Sequence, residues 1–106
     1  MKLVILETPF AGDIDANIKY ARQCIADCLK RDEAPIASHL LYTQPGVLDD
    51  TKPDERALGI AAGHAWCHVA EACVVYTDRG MSKGMEQGID VAITHGVEIE
   101  YRVLKS

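Results

Sequence analysis

The chain has 106 residues, of which 48% are hydrophobic and 25% are charged, and its 16 acidic and 11 basic side chains give a net charge of −5. This length fits one domain spanning residues 1–106, and the composition is typical of a globular protein. No apolar run approaches the roughly 20 residues of a membrane span, and the short run at residues 3–6 lacks the features of a signal peptide. The acidic balance argues against binding of a nucleic-acid polymer through its phosphates.

The four cysteines are predicted to be free thiols. Cys24 and Cys28 stand four apart beside apolar residues, and Cys67 and Cys73 complete the set. A disulfide framework is not expected without a secretion signal. Buried free thiols behave as small apolar side chains. Because the thiols are expected to stay reduced, a reducing cytoplasm is the expected location.

Strands and helices are predicted to alternate along the chain. The expected strands are residues 2–7, 35–37, 72–76 and 97–104, and the expected helices run from residue 13 to about 30, from 53 to about 69 and from 82 to about 95. Residues 38–52 are expected to form a long irregular segment. This order predicts an α/β fold, a Rossmann-like or flavodoxin-like three-layer sandwich with a four-stranded parallel sheet in the order 2-1-3-4 and three main helices.

Ligands of parallel sheets bind at the carboxyl ends of the strands, and this rule selects three loops. The candidate ligand-binding residues there are Pro9, Phe10, Gly12 and Asp13 in the first loop, Ser38, His39 and Tyr42 in the second, and Asp78, Met81, Ser82, Lys83 and Gly84 in the third. A helix that begins at such a loop offers free N–H groups to an anion. The simpler alternatives are an ordinary turn at Gly12, a buried imidazole at His39 and a plain helix cap at Ser82.

Glycines recur within the predicted helices, at Gly59 and Gly63 and again at Gly84 and Gly88. Each one costs about 1 kcal/mol relative to alanine, so close approach by a ligand, another helix or a second subunit is expected to compensate. We therefore expect a homodimer or a higher homo-oligomer.

One helix face carries His64, Cys67 and His68, a spacing that can suit zinc. A zinc protease motif would need Glu at the position of Ala65, and a third ligand is not evident. Neither a metal nor a cofactor is predicted.

The three loops match one family pattern in order and spacing. The motifs are Pro9-Phe10-Ala11-Gly12-Asp13 with Asn17, Pro35-Ile36-Ala37-Ser38-His39, Asp78, and Ser82-Lys83-Gly84. Over nearly the whole chain they resemble the nucleoside 2-deoxyribosyltransferase-like family, including its small phage-borne members. The resemblance implies a pocket for a nucleoside or nucleotide.

The same resemblance implies a catalytic Glu about six residues after the Ser, which attacks the anomeric carbon of the sugar while the base leaves. That position is Gly88 here, and Glu86, the nearest carboxylate, is displaced by about 200° around the helix. Gly88 is expected to enlarge the pocket for a bigger nucleotide and to belong to the ligand-binding set.

Three functions follow as alternatives. The first is a non-catalytic nucleotide-binding protein, in one form a phage protein that sequesters a nucleotide immune signal of its host, with Phe10, Tyr42 or Trp66 stacking on the base. The second is an active nucleosidase or deoxyribosyltransferase that uses Asp78 or Glu86 as its carboxylate. The third is a structural or partner-binding protein whose glycine faces serve only assembly.

Overall fold

Four parallel strands form the central sheet: β1 (Lys2–Glu7), β2 (Glu33–Ile36), β3 (Ala72–Tyr76) and β4 (Glu98–Arg102). In the computed structural model, which describes residues 1–104, the strand order is β2-β1-β3-β4 and every neighbouring pair is parallel. The predicted α/β fold class and strand order are confirmed. The order reverses between β1 and β3, which places a ligand crevice at the carboxyl ends of these strands.

The helices are α1 (Ile14–Lys30), α2 (Ser38–Leu41), α3 (Pro53–Ala65) and α4 (Lys83–Thr94), and a 3₁₀ turn (Trp66–His68) follows α3. Their starts agree with the local chemistry of the sequence. The Asp13 carboxylate accepts a hydrogen bond from the N–H of Ala16 (3.2 Å) and caps α1. Pro53 opens α3 at a position where its missing N–H costs little. Within residues 1–104, no helix combines the length and the apolar character that crossing a bilayer requires.

Three predicted boundaries are corrected by the structure. The second strand begins at Glu33 rather than Pro35, because Glu33 and Ala34 pair with Lys2 and Leu3 of β1. The last strand ends at Arg102. The segment predicted to be irregular begins with the single helical turn of α2, so that its irregular part starts at Tyr42.

Both faces of the sheet are packed, because successive strand residues point to opposite sides. On one face, Val4, Leu6 and Val74 pack with Tyr20 and Cys24 of α1. The other face has its own group, which includes Ile5, Cys73, Val75, Met85 and Ile89. All four cysteines are buried free thiols, as predicted.

Candidate functional site

A cavity of about 250 Å³ lies where β1 and β2 end and α4 begins. Its polar and glycine wall residues are Glu7, Thr8, Ser38, His39, Asp50, Arg56, Gly63, His64, Ser82, Lys83, Gly84, Gln87 and Gly88. The position agrees with the rule that parallel sheets bind ligands beyond the carboxyl ends of their strands. Residues from all three loops that the sequence selected therefore meet in one cavity.

The buried side chain of Asn17 holds two of these loops together. Its Nδ2 donates to the carbonyl oxygens of Phe10 (3.0 Å) and Ala11 (3.1 Å) in the loop after β1. Its Oδ1 accepts a hydrogen bond from Nε of Arg79 in the loop after β3 (3.0 Å). A single amide on α1 thus fixes the first loop and links it to the third.

His39 connects the second loop to the first. Its Nε2 and the Oγ1 of Thr8 are hydrogen-bonded at 3.1 Å, and its ring lies 5.3 Å from the ring of Phe10. Burial lowers the pKa of His39 to about 4, because a charged imidazolium would lose its hydration there. The imidazole is therefore neutral near pH 7, where it can exchange hydrogen bonds with a ligand without adding charge.

The N-terminus of α4 opens into the same cavity. Ser82 caps the helix, since its Oγ accepts a hydrogen bond from the N–H of Met85 (3.2 Å). Lys83 and Gly84 follow, so that the first free N–H groups of the helix, one cationic side chain and a residue without Cβ stand side by side. Helix N-termini favour anions for electrostatic reasons, and this one suits a phosphate.

Glu7, the last residue of β1, brings a carboxyl group into the cavity. Its side chain is only partly exposed, and within residues 1–104 it forms neither a hydrogen bond nor an ion pair. Burial raises its pKa to about 8, since nothing compensates for the loss of water around the charged form. Most buried polar groups have partners, so an unpartnered carboxyl in a cavity wall is a functional candidate.

Gly88 makes the position of this carboxyl possible. A Cβ atom on residue 88 would lie 2.7 Å from Cδ of Glu7, which is closer than real Cβ contacts allow. The sequence predicted that Gly88 widens the pocket for a larger nucleotide. In the structure the carboxyl of Glu7 takes that space, so that a carboxylate reaches the neighbourhood of position 88 from β1 instead of from α4.

The other predicted residues lie outside this cavity. Tyr42 lines a smaller neighbouring hollow of about 70 Å³, which shares Phe10, Ser38 and His39 with the main cavity, and its hydroxyl accepts a hydrogen bond from Nε1 of Trp66 (2.8 Å). Pro9, Gly12, Asp13, Met81, Asp78 and Glu86 are not among the residues that line the main cavity.

Asp78, a candidate carboxylate, is engaged in structural contacts. It accepts a hydrogen bond from the hydroxyl of Tyr20 (2.6 Å) and another from the backbone N–H of Leu104 (3.0 Å). Glu86 is exposed on α4. In the part of the chain that is described, no three His, Cys, Asp or Glu side chains are grouped so that they could hold a metal ion.

Analysis of the sequence missed Glu7, although a signal for it was present. Side chains alternate along a strand, so Glu7 shares the face of Ile5, which packs towards α4. Glu7 is an acidic residue at the carboxyl end of a buried strand, and its side chain points to the same face as that of Ile5. This pattern indicates a carboxyl group that points into the crevice. Only the contact with Gly88 reveals how it is accommodated.

Comparisons with known proteins were consistent with the fold. The model of a family described as a domain of unknown function (DUF7768) matches residues 2–102. The solved structure of the CMP N-glycosidase BcmB from Clostridium botulinum is similar, with a TM-score of 0.55 and 14% sequence identity over 96% of this chain and 69% of that one. At this identity the likeness shows a shared fold. No curated protein matches the chain in sequence.

Proposed function

The chain belongs to the family described as a domain of unknown function (DUF7768), and from that premise we propose that it binds a nucleoside or a nucleotide in the cavity at the carboxyl ends of β1 and β2. One observation carries the proposal: the N-terminus of α4 shares a cavity with Glu7 and His39. These groups suit the three parts of a nucleotide, because a helix N-terminus favours phosphate while the carboxyl and imidazole can bind hydroxyls and base edges.

The size of the site supports the same ligand class. The cavity of about 250 Å³ lies just below the roughly 300–1,000 Å³ of typical small-molecule pockets, and the hollow beside Tyr42 adjoins it, with six wall residues in common. Phe10 belongs to the wall of both spaces and offers an aromatic face for stacking. The similarity of the fold to BcmB adds support, since BcmB is a CMP N-glycosidase.

Calorimetry tests this proposal with a panel of nucleosides, their 5′-monophosphates, cyclic nucleotides and ADP-ribose-type nucleotides. We expect binding of at least one phosphate-bearing compound. Lys83→Ala should weaken that binding roughly tenfold by removing a charged donor near the phosphate, whereas the matched variant Lys19→Ala, at an exposed position of α1, should leave it unchanged. If no member of the panel binds more tightly than about 1 mM, the proposal is wrong.

In one form of this function the ligand is held and released unchanged. A phage protein of this kind would act in the host cytoplasm and sequester a nucleotide immune signal. Mass spectrometry of the ligand released after heat denaturation tests this form, which requires that the compound recovered be identical to the compound added.

Cleavage of an N-glycosidic bond is the second candidate function. The observation that favours it is the unpartnered carboxyl of Glu7 in the cavity wall. The sequence favoured a non-catalytic protein because no carboxylate stands at position 88. Glu7 supplies a carboxyl group beside that position, so this argument against catalysis no longer applies.

We also propose a homodimer that forms through α3. No residue of Pro53–Ala65 is buried, and Leu58 (60%) on this helix and Trp66 (40%) two turns further on, just after its end, are exposed. Because soluble monomers rarely leave such apolar groups together, a second copy is the partner we propose. Sedimentation analysis should find a dimer that Leu58→Asp shifts towards monomer, while Arg22→Asp on α1 should not. A monomeric wild-type protein at all concentrations would contradict the proposal.

A further inference from the structure

We propose that Glu7 is the catalytic carboxylate of this cavity and that it attacks the anomeric carbon of a bound nucleoside or nucleotide, breaking the N-glycosidic bond. The inference rests on the proposed function, since it needs a ligand of that class in the cavity. It replaces Asp78 and Glu86, the two carboxylates that the sequence suggested.

The position of Glu7 carries the first part of the argument. Glu7 lies at the carboxyl end of β1, beside the switch point of the sheet, and it lines the cavity together with Thr8 and Ser82. No described residue of the chain gives its carboxyl group a hydrogen bond or an ion pair. The carboxyl oxygens are therefore available to a ligand, whereas those of Asp78 hold Tyr20 and Leu104.

The packing around Glu7 carries the second part. The carboxyl group lies against Gly88 of α4, at a place where even a methyl group on residue 88 would collide with it. Gly88 is buried, so the missing side chain does not simply face solvent. A glycine inside a helix and an uncompensated carboxyl on a strand are both unfavourable when taken alone. Together they place one carboxyl group at the cavity wall, in the space that a side chain on residue 88 would otherwise occupy.

The reaction follows from the chemistry of the sugar. When the base leaves, positive charge develops at the anomeric carbon, and a carboxylate beside that carbon stabilises it or bonds to it. A Glu7 oxygen forms a bond to the anomeric carbon while the carbon–nitrogen bond breaks. The base keeps the electron pair and takes a proton from water. A water molecule then attacks the glycosyl ester, which releases the sugar with a new hydroxyl group and restores the carboxylate, with one proton returned to solvent.

Only the ionised carboxylate can attack, and burial raises the pKa of Glu7 to about 8. The ionised fraction therefore grows as the pH rises through that value. The other charged or titratable groups around it are Asp50, Arg56 and Lys83, the imidazoles of His39 and His64, and the thiols of Cys67 and Cys73. We expect kcat/KM of the wild-type protein to increase with pH up to about 8 and then to level off, because kcat/KM reports the ionisation of the free enzyme. A general acid would give the opposite profile, so a decline of kcat/KM between pH 6 and 8 would overturn the assignment.

Release of free base from nucleosides and their 5′-monophosphates, followed by chromatography, tests the residue directly. Wild-type protein should release base, and Glu7→Gln should lose that activity by roughly 10³-fold or more while its calorimetric affinity stays within a fewfold. Asp90→Asn, on the exposed side of α4, serves as the matched control and should behave as wild type. If the ligand binds but the wild-type protein releases no base, or if Glu7→Gln remains active, the inference fails while the proposed function stands. If nothing binds, the proposed function itself fails.

An exchange variant separates catalysis from structure. In Glu7→Ala/Gly88→Glu a carboxyl group is supplied from α4 instead of β1, and the collision with Glu7 is gone. We expect this double variant to recover at least tenfold over Glu7→Ala alone, since the site would again hold a carboxylate. Mass spectrometry of rapidly quenched wild-type protein should find the sugar attached to the peptide that contains Glu7. Attachment to any other residue would overturn the proposal.

Discussion

Glu7 shows how one residue couples stability to pH at the cavity. Its pKa rises from 4.5 to about 8 on folding, so the folded protein holds a proton that the unfolded chain has lost between these values. The free energy of unfolding therefore falls as the pH rises from 4.5 to 8. The shift corresponds to at most about 5 kcal/mol, and partial solvation reduces this to roughly 2–4 kcal/mol.

Glu7→Gln removes this titration while keeping the shape of the side chain. Relative to wild type, the variant should gain about 2–4 kcal/mol of unfolding free energy between pH 5 and pH 9, since only the wild-type protein must accommodate a charge at pH 9. Urea denaturation at both pH values measures the difference. An equal difference at the two pH values would show that the carboxyl is well solvated.

At the scale of elements, the glycines of α3 have different roles. A Cβ on Gly63 would lie 2.8 Å from Oγ of Ser38 and 2.9 Å from its Cβ, so Gly63 lets α2 and α3 approach each other. A Cβ on Gly59 would meet only the end of the Leu48 side chain, at 3.2 Å. The recurrence of glycine on this helix indicated close packing, and the structure identifies Gly63 as the position where close packing is strictest.

Alanine variants of these two glycines should therefore differ in stability. Gly63→Ala should lower the free energy of unfolding by roughly 1–2 kcal/mol, because overpacking against Ser38 outweighs the gain in helix propensity. In Gly59→Ala the flexible leucine can move, so the change should be near zero or stabilising by up to about 1 kcal/mol. Thermal and urea unfolding would measure both. A Gly63→Ala protein as stable as Gly59→Ala would contradict the close contact between α2 and α3.

At the scale of the whole molecule, one buried ion pair joins the two edge strands. The guanidinium of Arg102 on β4 donates to both carboxylate oxygens of Glu33 on β2 at 2.7 and 2.5 Å, and both residues are buried. The hydroxyl of Tyr76 accepts a weaker hydrogen bond from Arg102 and donates to Asp27 of α1 (2.6 Å). The pairing holds the pKa of Glu33 below its usual value. The network therefore ties β2, β3, β4 and α1 together.

Arg102→Met should destabilise the protein by about 3–5 kcal/mol, because Glu33 would remain buried without its cation. The double variant Arg102→Met/Glu33→Met should recover most of that loss, since well-packed apolar residues often replace a buried ion pair at little cost. Chemical denaturation of the wild type and both variants provides the measurement. If the double variant is as unstable as the single one, the pair contributes through its specific geometry rather than through charge compensation.

Much of this molecule was predictable from local patterns. The alternating strands and helices, the cap at Ser82 and the strand order all agree with the structure. Asp13 and Asp15 were both candidates for the cap of α1, and the structure has Asp13 there. These features depend on periodicity and on chemistry within a few residues, which a single sequence displays directly. The short helix α2 was missed because its single turn carries no full period. The loops that meet at the cavity were identified by the same topological rule that places ligands in parallel sheets.

The sequence by itself determined the α/β sandwich and the region of the chain that forms its crevice, since both follow from strand period, helix period and chain order. Only the tertiary structure showed that the carboxyl of Glu7 enters that crevice. The absence of a side chain at position 88 indicated lost chemistry when it was considered along α4 alone. The contact between α4 and β1, which are far apart in the sequence, shows that Glu7 occupies that space. The role of a missing side chain at position 88 therefore depends on β1, the strand that packs against α4, because side chains of neighbouring elements fill much of the space that a glycine leaves.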